Sequence, residues 1–140
     1  MTKRIRSSPS RHSKLLKSKD ASTKRSPEQL SPIFSLEHLQ ASHCVSEIVD
    51  RSERGLFMDA LFTLSRMSWS QINSAPRHGL GTERMPARQI KAKIPSCVTA
   101  DVNLLVFRWK GKLPFVGFRD GRVLNILWIE QQFGDLYDHG

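Results

Sequence analysis

The chain has 140 residues, 39% of them apolar, and a formal charge of +9. That length holds one domain of roughly 100–150 residues with a modest core. No apolar run nears the roughly 18 residues of a membrane span, and no apolar stretch follows the basic start as it would in a secretory signal. Cys44 and Cys97 lie far apart and follow no metal-site spacing, so the expectation is two reduced, mostly buried thiols in a cytoplasmic protein.

The charge is unevenly spread. Residues 1–25 hold nine Lys and Arg against one acid, Asp20, whereas residues 26–140 hold thirteen against twelve. Residues 1–32 are rich in Ser, Lys, Arg and Pro. Such a segment buries too little apolar surface to offset its ordering entropy, so a disordered basic arm is expected before a single domain at 33–140. The arm either attracts polyanions by counterion release or serves as a solubilising leader.

Along the chain, residues 33–40 place Phe34, Leu36 and His38 on one parity and predict a short strand. Residues 51–67 read as a helix. Asp50 and Glu53 fit a capping box, and Phe57, Ala60, Leu61 and Leu64 form one apolar stripe. Ser68 and Gln71 repeat the start signal for a second short helix, which Pro76 ends. A long, polar, basic connection follows at 76–101, in which Pro76 to Gly81 predicts a glycine turn. Residues 102–109, 113–119 and 123–129 are apolar, β-branched and aromatic. Lys110-Gly111-Lys112 and Asp120-Gly121 separate them, which predicts a three-stranded meander. The order β-α-α-β-β-β implies an α+β fold: a two-helix hairpin on one face of a mostly antiparallel four-stranded sheet, with the other face free to present polar groups.

Several side chains have the chemistry for a site. Residues 77–122 carry ten Lys and Arg, among them Lys91, Lys93, Lys110, Lys112 and Arg122, against Glu83, Asp101 and Asp120. Interleaved with Phe107, Trp109, Phe115 and Phe118, they suit RNA, with cations on phosphates and rings on unpaired bases. The opposing reading makes the aromatics core and Lys110-Gly111-Lys112 a solvated turn. Arg108 and Arg119 each end an apolar run. They either reach water or an acidic neighbour, or form an anion site that stabilises charge on a phosphate. Tyr137 and His139 are proton-handling groups placed just after the last strand. Nearby arginines would favour tyrosinate. The alternative is a capping aromatic and a frayed terminal histidine. His38, His43 and Cys44 have no metal spacing, and no nucleotide motif is present, so neither metal nor cofactor is expected.

The element order and the stretch LLVFRWKGKLPFVGFRDGRVLNILWI, followed by LYDH, resemble the RelE/ParE-like toxin superfamily of bacterial toxin–antitoxin systems over residues 33–140. The resemblance implies a metal-independent endoribonuclease that acts on mRNA in the ribosomal decoding site and is neutralised by a cognate antitoxin. Carried over by position, it implies that Arg108, Lys110 and Arg119 stabilise the phosphate. Tyr137 matches the family's terminal tyrosine, and His139 is a second proton handler. The chain departs from the pattern at Glu130, within Glu-Gln-Gln-Phe, where the family often carries a basic pair. Because folds of this kind also serve without catalysis, a non-catalytic nucleic-acid- or protein-binding module is the second expectation.

Overall fold

The computed structural model describes residues 25–76 and 82–140. Most of the expected basic arm and, apart from Pro76, the expected turn at 76–81 lie outside them. The fold is α+β, with helix α1 (Arg51–Ser65), helix α2 (Trp69–Ser74), and strands β1 (Ile33–Ser35), β2 (Glu83–Pro86), β3 (Asn103–Lys110), β4 (Leu113–Asp120) and β5 (Val123–Ile129). The sheet has five strands, not four, in the order β1-β5-β4-β3-β2. It is mixed, because β1 runs parallel to β5 while the other pairs are antiparallel. The additional strand is β2, a short edge strand within the segment expected to be loop. The first strand stops at Ser35 instead of Gln40, and Gln40 N–H then donates to Leu127 O at 2.8 Å.

The helical hairpin forms for local reasons. The Asp50 side chain accepts from Ser52 N–H and caps α1, while Glu53 pairs with Lys110 and makes no capping box. Ser68 and Gln71 do form the full reciprocal box at α2. Phe57, Leu64, Trp69 and Ile72 pack with Leu105, Phe107, Trp109, Phe115, Leu124, Ile126 and Ile129 on one face of the sheet. Phe107 stacks on Phe115, and Phe57 meets Phe115 edge-on.

The other face is not free. Met85, Ala87, Ile90, Val98, Leu136 and Tyr137 cover Leu104, Val106, Val116, Leu127 and Trp128 in a second core. The connection after β2 and the C-terminal segment together form this layer, which explains why the central strands are apolar on both parities. Residues 30–32, at the end of the expected arm, are held against the domain. Leu30 O accepts from Trp69 N–H, Ser31 accepts from Arg122, and Pro32 is buried. Both cysteines are free but only half-buried. Among the described residues no helix is long and apolar enough to cross a membrane.

Two bulges set which side chains share a face. In β3, Arg108 pairs with Pro114 and Lys110 with Leu113, so Trp109 is the extra residue. In β5, Leu127 is the extra residue between the partners of Val116 and Gly117. Gly117 lies where the second bulge brings the strands close. A Cβ there would overlap the Asn125 carbonyl and lie 3.2 Å from Ile126 Cα, and both neighbours are backbone, which cannot rotate away. Gly117→Ala should therefore destabilise the fold by about 2–3 kcal/mol, the scale of overpacking in a core. Chemical denaturation that leaves the midpoint unchanged would contradict this packing.

Candidate functional site

The C-terminal segment returns across the second face and is fastened there by backbone and side-chain bonds. Tyr137 forms an antiparallel bridge with Ile90. Lys91 N–H donates to Leu136 O at 2.7 Å, and Lys91 Nζ to Gly134 O at 2.8 Å. The turn that permits this return contains Gly134, at φ 90°, a conformation that costs glycine little.

Glu130, the residue after β5, is 0% exposed. Its Oε2 accepts from Leu136 N–H at 2.8 Å, and its Oε1 lies 2.7 Å from His139 Nε2. The His139 ring stacks against Phe133 on one side and Tyr137 on the other, with centroids 4.0 and 4.1 Å away. His139 is thus part of an ordered cluster, not the frayed terminal histidine of the alternative reading, and Glu130 is its anchor.

Between this cluster and the β2–β3 edge lies a cleft of about 200 Å³, lined by Glu83, Arg84, Met85, Gln89, Val106, Arg108, Tyr137, Asp138 and His139. Arg108 reaches it because Leu104, Val106 and Arg108 alternate onto the second face. Its Nη2 sits 3.4 Å from Glu83 Oε1, and its Nη1 donates to Lys112 O at 3.2 Å. Three of the four candidate catalytic residues, Arg108, Tyr137 and His139, therefore share one surface.

Arg119 does not join them. It lies on the helical face, its guanidinium 4.3 Å from the centroid of the Trp69 ring, paired with Glu28 and donating from Nε to Gly121 O at 2.7 Å. The cause is the bulge at Trp109. Without it, Lys110 opposite Leu113 would put Arg108 and Arg119 on the same face; the one-residue shift sends them to opposite faces. Of the candidate RNA-binding residues, Lys110 is paired with Glu53 of α1. Arg122 holds Ser31, with its own carbonyl accepting from Ile33 N–H and Trp69 Nε1–H. Lys93 and Lys112 are exposed, and Lys91 is exposed with its ammonium on Gly134 O.

Tyr137 is not tuned toward tyrosinate. Burial pushes its phenol up to about 12, with the negative charges of Glu130 and Glu83 adding to the effect and Arg108 opposing it. The phenol is thus held protonated, contrary to the expectation drawn from the neighbouring arginines. A second cavity, of about 650 Å³, is larger, but Glu47, Asp50, Glu53 and Asp135 line it beside His43, and that charge repels a polyanion. Among the described residues no group of three or more His, Cys, Asp or Glu is arranged to hold a metal ion. Sequence reasoning missed Glu83 and Gln89, which lie in a segment read as loop, and no local signal marked them.

No protein-family model, curated protein or solved structure matches this chain.

Tyr137 is the only tyrosine, so phenolate absorbance reports it alone. Its titration should begin well above the ordinary value of roughly 10 and centre near 12. Because the folded phenol holds its proton more tightly than the unfolded one, this contribution to stability is intact below pH ~10 and is lost as pH rises through about 12. A midpoint at the ordinary value in the folded protein would contradict the burial described.

Proposed function

We propose that the chain is a RelE/ParE-like toxin: a cytoplasmic endoribonuclease that cleaves mRNA and is held in check by a cognate antitoxin. The observation that carries this reading is the convergence of Arg108, Tyr137 and His139, with Glu83, in one polar cleft. The cleft is smaller than the roughly 300–1,000 Å³ of sites that enclose a small molecule, which favours a polymer presenting one backbone linkage. In the proposed reaction, His139 takes the proton of a 2′-hydroxyl. The O2′–P bond forms as the P–O5′ bond breaks, and Arg108 follows the charge that builds on the phosphoryl oxygens. The neutral Tyr137 phenol gives its proton to the departing 5′-oxygen. The products are a 2′,3′-cyclic phosphate and a 5′-hydroxyl. Glu83 holds the guanidinium in place, and the exposed Arg84, Arg88 and Lys93 extend a basic border along the same segment.

The alternative, a non-catalytic binding module of the same fold, draws support from a different place. Met58 and Phe62 on α1 and Ile33 and Leu36 at the β1 edge are large, apolar and exposed, as a protein-binding face would be.

The two readings separate on induced expression in a bacterial host, following growth and mRNA 5′ ends. The toxin reading expects slowed growth and new 5′ ends from the wild type. Arg108→Ala should cut cleavage of a model RNA by about 10²–10³-fold, as loss of a transition-state donor does. Arg119→Ala should leave cleavage intact and lower only thermal stability. Wild-type protein that neither slows growth nor creates mRNA ends would remove the nuclease reading.

A further inference from the structure

On the reading that His139 handles the 2′-hydroxyl proton, we infer that Glu130 is a positioning residue: its buried carboxylate fixes which ring nitrogen of His139 carries hydrogen and so leaves Nδ1 to accept a proton. A carboxylate offers only acceptors. One oxygen is taken by Leu136 N–H, so the other, 2.7 Å from Nε2, requires the imidazole proton on Nε2. Nδ1 then has a lone pair and no protein partner among the described residues, on a ring that lines the cleft. The Phe133 and Tyr137 rings on either side restrict rotation of the imidazole out of this arrangement.

An acid at this position does what an amide cannot. A buried carboxylate is costly to desolvate, and glutamine would satisfy Leu136 N–H equally well with its carbonyl. What glutamine cannot do is hold an Nε2–H. With its oxygen committed to Leu136, it presents an NH₂ group to His139, and Nε2 must become the acceptor. The ring proton then moves to Nδ1, and the base is lost. Turning the amide round restores the tautomer but leaves a buried backbone N–H without a partner. Glu130→Gln thus preserves shape and bond count while reversing the proton on His139.

The test is long-range ¹H–¹⁵N correlation of the imidazole rings at alkaline pH, where neutral rings report their tautomer. The His139 signal is assigned with a His139→Asn variant. The wild type should show the Nε2–H form and Glu130→Gln the Nδ1–H form, with cleavage of a model RNA lowered about 10²-fold, the scale of general base catalysis. An Nδ1–H form in the wild type overturns the assignment without any variant. Retention of Nε2–H in Glu130→Gln, or its cleavage at the wild-type rate, does so too. A wild type that shows Nε2–H but cleaves no RNA removes the nuclease reading alone.

Discussion

A carboxylate excluded from solvent must find its hydrogen bonds within the protein, and Glu130 finds them by drawing the C-terminal segment back to the end of β5. Its side chain takes Leu136 N–H and His139, its own N–H donates to Pro114 O at 3.0 Å, and its carbonyl accepts from Trp109 Nε1 at 3.0 Å. Strand β4, the bulged residue of β3 and the C-terminal segment therefore meet at one side chain and its peptide groups. Leaving a buried group of this kind without its hydrogen-bond partner costs about 1–3 kcal/mol, which is large against the stability of a small domain. This contact, the Ile90–Tyr137 bridge and the stacked rings together hold Tyr137 and His139 over the cleft.

The second constraint is register. A one-residue bulge changes no composition, yet it decides which charges can act together. Trp109 places its ring in the helical core and its indole N–H on Glu130 O. The same shift sends Arg119 to the helical face, where it binds Trp69 and Glu28. Leu127, the extra residue of β5, joins Trp128 in the second core. Of the two expected catalytic guanidiniums, the cleft consequently has Arg108, with Glu83 beside it, while Arg119 lies on the other face.

What was legible in the sequence follows the range of the forces involved. The α1 stripe, the Ser68–Gln71 box and the meander with its glycine turns are short-range signals, and they appear where periodicity and capping put them. Strand β2 was not legible: Glu-Arg-Met-Pro has no strand pattern, and it pairs only because the edge of β3 is available. The cover over the second face comes from residues far apart in the chain, so no local window reveals it, although the apolar character of β3 and β5 on both parities required some cover. Residue type alone singles out Arg108, Tyr137, His139 and Arg119; the fold brings the first three to one cleft, and Arg119 is turned away by a bulge that leaves no mark in composition. Glu130 looked like a missing cation when read alone, and its role emerges only once the chain folds back to bring Leu136 and His139 to it.

Residues 134–140 belong to the fold: a buried acid holds them, and they build one wall of the cleft. Hydrogen exchange at the Leu136 amide tests this most directly, because that N–H bonds to the Glu130 carboxylate and to nothing else. Its protection should be comparable to that of the amides inside β5 and far above that of Gly140. Exchange of Leu136 at the rate of an open chain end would contradict it.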